Sequence, residues 1–316
     1  MREISLIIAT LGERPENLCN FLRSVVPQAD YLRDIIVVDQ NPDDQRIPAL
    51  LEQFWGLLPI RCIRSGLGLS GARNHGLPLA LGTIVAFPDD DCLYPEGLLE
   101  WVVNWFESSQ KYDILAVGAN DASGTVSGNR WPQKSCDIHP INAFGTTFSS
   151  SLFLRTDIAM TEEFDVRLGV GSGTPHASGE ETDYVLRLIH AGARGHFDRT
   201  RHVVHSRGDM LSGAGSTSRA DSYGLGTGHL LRIHAVPPLW IGFLAYSLAR
   251  AGWALGCGDL KGYKLCVAQM KGLWKGYRTP IEAVTTKSAT ASSGLHAVAT
   301  QPYPGSSQRD AGSISS

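Results

Sequence analysis

The chain reads as an α/β protein with a mostly parallel central sheet flanked by helices. Two observations carry this. Short β-branched, apolar runs alternate with amphipathic helical stretches across residues 4–91, and that alternation gives a parallel sheet covered on both faces. Several of these runs also end on a polar or acidic residue, Thr10, Asp39 and Asp89. In open parallel sheets, ligands bind outside the carboxyl ends of the strands, so these residues are expected on one rim.

The elements follow in order. Ile4–Ile8 is a strand-length apolar run, followed by Ala9-Thr10-Leu11-Gly12. From Pro15 to Val26 the apolar positions Leu18, Phe21, Leu22, Val25 and Val26 share one helical face, with Pro15 in the first turn. Asp34–Asp39 is a second strand, 45–55 a weaker helix interrupted by Pro48, 59–64 a third strand, and 70–81 a helix despite Pro78. Residues 83–87 form a buried strand too short for a helix. Further strands are expected at 113–117 and 147–154.

The run at 83–87 leads into Asp89-Asp90-Asp91. Carboxylates bunched at a strand end repel one another. Either water solvates them as an acidic turn, or a divalent cation compensates them; Mg²⁺ or Mn²⁺ takes a few carboxylate oxygens and completes its shell with phosphate and water.

Composition bounds the function. The chain has 316 residues, 43% of them hydrophobic, which is enough for a large core and excludes wholesale disorder. A net charge of −3 gives no basic field for nucleic acid. The six cysteines are scattered without a C-x-x-C pair, as expected of thiols in a reducing, cytoplasmic compartment. The N-terminus enters a strand directly, so no signal peptide is expected.

Taken together, Ile7-Ile8-Ala9-Thr10, Ile36-Val37-Val38-Asp39, Gly68-Leu69-Ser70-Gly71-Ala72-Arg73-Asn74 and Phe87-Pro88-Asp89-Asp90-Asp91 resemble, in order and spacing, the GT-A-fold glycosyltransferases of family 2. Gly179-Glu180-Glu181-Thr182-Asp183 resembles that family's acidic acceptor-side motif, with Glu-Glu where many members have Glu-Asp. The resemblance covers roughly residues 3 to 205. It implies a GT-A domain over 1–232, with a nucleotide-sugar half (1–112) and an acceptor half (113–232). It implies Asp91 as metal ligand, Asp89 as a ribose or metal contact, and Asp90 turned towards backbone amides. Thr10 and Asp39 would serve the nucleotide sugar, Asp39 by accepting from a base N–H. Arg73 offers its fork of donors to the diphosphate. A histidine near 205 can approach the metal or diphosphate in the family. His202 and His205 fall on opposite faces of a strand, and His205 is the better placed.

Glu180, Glu181 and Asp183 fill the first turn of a helix, where its dipole favours acids. Glu181, Tyr184, Val185 and Leu188 share an apolar face, which points Glu181 inward. Glu180, Asp183 and Arg187 share another face, with an i,i+4 pair available between Asp183 and Arg187. A partly desolvated carboxylate is the better base, which favours Glu181 over Glu180. Trp131, Phe144 and Phe148 are candidates to stack on sugar rings, or else core residues.

Residues 236–280 carry six Lys/Arg against one acid, Asp259. Trp240, Phe243, Leu244, Ser247, Leu248, Ala251, Ala254 and Leu255 make a helical stripe, and 260–277 a second, basic helix. Apolar, basic and aromatic together suit an amphipathic segment on an anionic membrane surface. That predicts peripheral association with the inner face of the plasma membrane. Residues 284–316 are Ser/Thr/Ala-rich without periodicity and are expected to be disordered.

The expected activity is inverting transfer of a sugar from a nucleotide-sugar donor to a saccharide or lipid-linked acceptor, with Mg²⁺ or Mn²⁺, in surface-polysaccharide synthesis. The alternatives are a nucleotidyltransferase making a sugar nucleotide, or a non-catalytic sugar-nucleotide or glycan-binding subunit.

Overall fold

A computed structural model describes residues 3–125, 131–205, 217–234 and 237–278. The expected alternation is present: β1 (Ile4–Thr10), α1 (Pro15–Val25), β2 (Leu32–Asp39), α2 (Arg46–Leu51), β3 (Ile60–Arg64), α3 (Leu69–Gly76) and β4 (Ile84–Ala86). The prolines and neighbouring breakers shorten the helices. Each of α1, α2 and α3 gives way to a 3-10 turn, at Val26–Tyr31, Glu52–Phe54 and Leu77–Leu79.

β5 (Cys92–Leu93), α4 (Leu98–Ser108), β6 (Ile114–Asn120), β7 (Cys136–Ile138), α5 (Ala143–Thr146), β8 (Leu152–Arg155), α6 (Thr156–Ala159), α7 (Glu180–His190) and β9 (Gly195–His205) complete the body. The sheet order is β3-β2-β1-β4-β8-β6-β9-β5, with β7 on β9. β3, β2, β1 and β4 are mutually parallel, and β8 enters antiparallel between β4 and β6. The strand expected at 147–154 starts only at Leu152, because Ser149–Ser151 form a 3-10 turn.

The parallel register aligns Thr10 with Asp39 and Asp39 with Arg64, so the ends of β1, β2 and β3 form one rim. β1, β2, β4, β6 and β8 are buried almost throughout, which is why they read as continuous apolar runs.

Three further helices, α8 (Thr217–Ile233), α9 (Pro237–Gly256) and α10 (Leu260–Arg278), follow the body. α8 and α10 pack through glycines. A Cβ on Gly228 would lie 2.2 Å from the Leu273 carbonyl oxygen, and one on Gly272 1.9 Å from that of Asp221. α9 packs one face, Trp240, Phe243, Leu244, Ser247, Ala251 and Ala254, inward. Leu248 and Leu255 of the expected stripe are exposed instead. They lie at the edge of that face, one turn on from Leu244 and Ala251, where its cover ends. No helix among the described residues is long and apolar enough to cross a membrane. The stretch 284–316 lies outside the described residues.

Candidate functional site

The acidic triplet sits where β4 leaves the sheet and turns into β5. β5 pairs antiparallel with β9 in a register that sets Cys92 opposite His205. That register brings the last residue of β9 beside Asp91, with His205 Nε2 3.3 Å from Asp91 Oδ1. His202 lies apart from this contact, as alternation along the strand requires; it lines a surface hollow of about 410 Å³ with Trp101 and Arg201. Neither this hollow nor a second one, bounded by Glu3, Phe106 and Arg155, is lined by any residue of the triplet or of the Glu180–Glu181 pair.

Asp89, Asp91 and His205 each present a ligand atom, all within 4.8 Å of one another. Two carboxylates and an imidazole converging at a strand end suit a divalent cation. Burial works to raise the Asp91 pKa, but the His205 hydrogen bond and charge and the Arg14 cation outweigh it and hold Asp91 at about 2. Burial lowers His205, and the hydrogen bond and charge of Asp91 overcome this and raise it.

Arg14, in the loop after β1, adds charge that sequence reading passed over. Its Nη1 donates to Asp91 Oδ2 at 2.7 Å and its Nη2 to Asp90 Oδ1 at 3.3 Å. Asp90 does not turn to backbone amides. Its Oδ2 accepts from Thr10 Oγ1 at 2.7 Å, because Thr10 ends the neighbouring strand and points at it. Burial raises the Asp90 pKa against the pull of Thr10 and Arg14.

Asp39 is fully buried, with Oδ1 accepting from the Asn41 N–H at 2.7 Å and Oδ2 from Arg64 at 3.0 Å. Burial raises its pKa despite these partners. Its partner Arg64, at the end of the neighbouring strand, has a side chain about one-third exposed.

Arg73 is 1% exposed and joins the two acidic clusters. Its Nη2 lies 3.3 Å from Asp89 Oδ1 and its Nη1 3.4 Å from Glu180 Oε1. The guanidinium lies over Phe164, 5.3 Å from its centroid, and Phe164 stacks on Tyr184 of α7 at 4.0 Å. An aromatic stack therefore fixes the depth of the cation, and the cation fixes the first turn of α7 against the triplet. Ser150 completes the Asp89 environment, its hydroxyl donating to Oδ2 at 2.7 Å.

The two glutamates exchange places relative to the periodicity argument. Glu180 is buried, between Arg73 and the loop at Gly169, where a Cβ would meet its carboxylate at 3.1 Å. Glu181 is partly exposed. α7 buries Thr182–Leu186 as well as Leu188, so no single face marks the interior. The expected i,i+4 pair is formed, Arg187 Nε to Asp183 Oδ2 at 2.9 Å. Gly179, at φ +96°, supplies the left-handed residue that starts the helix.

Desolvation raises both glutamates. Arg73 opposes the rise at Glu180, while the Glu180 charge adds to it at Glu181, pushed up to about 8. Of the candidate sugar-stacking aromatics, Trp131 is buried and stacked on Phe197, and Phe144 packs against Phe243 of α9. Phe148 meets His205 edge-on at 5.1 Å.

Residues 5–162 match the family described as Glycosyl transferase family 2. The minor teichoic acid biosynthesis protein GgaB of Bacillus subtilis is 26% identical over 170 residues, 49% of this chain and 18% of GgaB. The amylovoran biosynthesis glycosyltransferase AmsE of Erwinia amylovora is 27% identical over 185 residues, 57% of this chain and 66% of AmsE. The chain thus spans less than two thirds of either relative.

Among solved structures, S. aureus TarS 1-349 in complex with UDP-GlcNAc superposes with a TM-score of 0.55 at 14% identity, over 85% of this chain and 92% of that one. The mannosyltransferase PcManGT from Pyrobaculum calidifontis, in complex with GDP-Man and Mn²⁺, gives 0.57 at 15% identity, over 87% and 86%. The fold is that of the GT-A glycosyltransferases, and the chain belongs to glycosyl transferase family 2.

Proposed function

We propose that this protein is an inverting glycosyltransferase that moves a sugar from a nucleotide-sugar donor to a hydroxyl of a saccharide or lipid-linked acceptor during surface-polysaccharide synthesis. One observation carries the reading: Arg73 ties the cation-ready group at Asp89 to the glutamate pair that opens α7. A leaving-group site and a base site held by one rigid cation is what direct displacement at an anomeric carbon needs. The names of GgaB and AmsE support the biosynthetic setting.

In this reading residues 1–112 hold the donor and 113–232 shape the acceptor pocket. Asp89, Asp91 and His205 would hold Mg²⁺ or Mn²⁺, and PcManGT with GDP-Man and Mn²⁺ supports that choice. The bound cation would supply charge neutralisation for the diphosphate as it leaves. Thr10 and Asp90 form the wall beside it. Arg14 and Arg73 offer guanidinium donors to phosphate oxygens, and Asp39 faces the base with Arg64. Glu181 takes the acceptor proton, because Glu180 is engaged with Arg73 and Glu181 is the accessible member of the pair. All six cysteines are free, which supports a reducing, cytoplasmic site of action.

The test is a panel of UDP-, GDP- and dTDP-sugars with Mg²⁺ or Mn²⁺, read by thermal stabilisation and by release of the nucleoside diphosphate. Stabilisation and release that vanish with EDTA and in Asp91→Ala are expected. Full turnover in excess EDTA would remove the metal role, and binding without any turnover would favour a non-catalytic subunit. Retained anomeric configuration in the product, read by NMR, would contradict direct displacement.

A further inference from the structure

α9 has no polar face. Its 20 residues contain one formally charged side chain, Arg250, and a helix that is apolar all round is normally buried all round. Only the side carrying Trp240, Phe243, Leu244, Ser247, Ala251 and Ala254 is covered. Along one edge of the opposite side Ile241, Leu248 and Leu255 recur every seventh position and are 63%, 60% and 50% exposed. Ala245, Ala249 and Gly252 carry the exposed surface on round the helix from this edge. Trp253, at the far edge of this exposed side, is 77% exposed.

Charge identifies what covers the strip. α9 and α10 together contain Arg250, Lys261, Lys264, Lys271, Lys275 and Arg278, and no acid. Asp259 lies in the turn between them, its carboxylate accepting from the Gly262 N–H at 2.8 Å. Lys261 and Lys264 are exposed just beyond the end of the strip. A second protein surface would have to supply acids and apolar groups in register with both helices; a fluid anionic surface supplies them without register.

We infer that the outer face of α9, with the lysines opening α10, docks on an anionic lipid bilayer, α9 lying in the plane of the headgroups. Cationic residues draw the segment to the surface, and the Ile241–Leu248–Leu255 strip enters the acyl boundary. This surface is independent of the catalytic assignment.

The test uses the full chain and vesicles of phosphatidylcholine with or without phosphatidylglycerol. Wild type is expected to pellet with the phosphatidylglycerol vesicles at low salt and to release at high salt. Brominated acyl chains should quench its tryptophan emission, less so in Trp253→Phe. The triple variant Ile241→Asn, Leu248→Asn, Leu255→Asn should partition roughly tenfold or more weakly, since three apolar side chains lose their burial. Lys261→Glu and Lys264→Glu should each weaken binding roughly fivefold or more, as a cation near the surface is lost. Unchanged thermal unfolding shows that these variants fold. Absence of pelleting at low salt, or equal pelleting with pure phosphatidylcholine, overturns the assignment. So does a wild-type dimer in sedimentation equilibrium that the triple variant dissociates, which would make the strip a contact between copies.

Discussion

At the residue scale, the decisive feature is the division of labour between two adjacent glutamates. Glu180 is committed to Arg73, whereas Glu181 keeps solvent access and a pKa raised by desolvation and then by the Glu180 charge. A base must be unprotonated to act, so a raised pKa makes turnover climb with pH until it passes about 8. Glu181→Gln should keep donor-induced thermal stabilisation, lower turnover by roughly 10²–10⁴-fold and erase this limb of the pH profile. Wild-type turnover in that variant would remove Glu181 from the mechanism. Arg73→Met should act through both clusters, weakening metal-dependent donor binding and turnover together. It also leaves Glu180 buried without its partner, a loss of about 3–5 kcal/mol if the carboxylate stays ionised. Glu180's raised pKa offers an escape by protonation, so the deficit of Arg73→Met relative to wild type should be smaller at acid than at neutral pH, read from urea midpoints of both proteins. The triplet was legible in sequence because clustered carboxylates at a strand end are chemically conspicuous. The roles of Arg14 and Ser150 were not, since each meets the triplet across about sixty to eighty residues of chain and lies in a loop or turn without periodicity.

At the element scale, legibility followed the number of covered faces. α1 has one buried face, so its apolar spacing gave its position to within a residue. α7 is buried on most sides, so the 3.6-residue pattern could not say which glutamate points inward. β9 shows another limit. Its pairing with β6 jumps from Val117↔Asp198 to Gly118↔His202, an irregularity of the kind that re-aims side chains near functional sites, and nothing in the sequence announces it. The α8–α10 contact was invisible because glycine reads as a breaker in sequence, yet here it permits close approach. Gly228→Leu or Gly272→Leu drives a side chain into the facing backbone, where a Cβ alone would lie 2.2 or 1.9 Å from a carbonyl oxygen. Overpacking of this kind costs about 1–3 kcal/mol, and more where backbone must move; the urea midpoint should fall accordingly. Gly252→Ala on α9 meets open space and should add up to about 1 kcal/mol of stability through helix propensity, raising the midpoint. Equal effects at Gly272 and Gly252 would mean that α8 and α10 do not pack this closely.

At the scale of the whole molecule, the question is how the α/β body holds the three trailing helices. Part of the seam is a pair of buried histidines, His176 of the loop before α7 and His229 of α8, with ring centroids 5.4 Å apart. Neither ring nitrogen of either has a hydrogen-bond partner among the described residues. Two such rings tolerate each other only while neutral. Desolvation first, then each other's charge or that of Arg167, lowers both pKa values, His229 to about 4, with Asp165 and Asp183 pulling the other way. The folded values therefore lie below the unfolded value of about 6.5. Below that pH the unfolded chain binds more protons than the folded one. The stability is complete above about pH 6.5 and is lost as pH falls towards about 4, by something on the order of 2–3 kcal/mol for His229. Glu181 works in the opposite direction over the same range, because its raised pKa makes acidification favour the folded state. The net slope is thus a difference, and the histidine share must be isolated by substitution. Urea midpoints of wild type and of His176→Phe/His229→Phe, taken from about pH 7.5 down to about pH 4.5, should diverge: wild type loses stability more steeply, and the double variant follows a flatter or inverted course. Parallel curves would show that the pair titrates alike in the folded and unfolded chain, and that the seam holding α8 to the body is indifferent to pH.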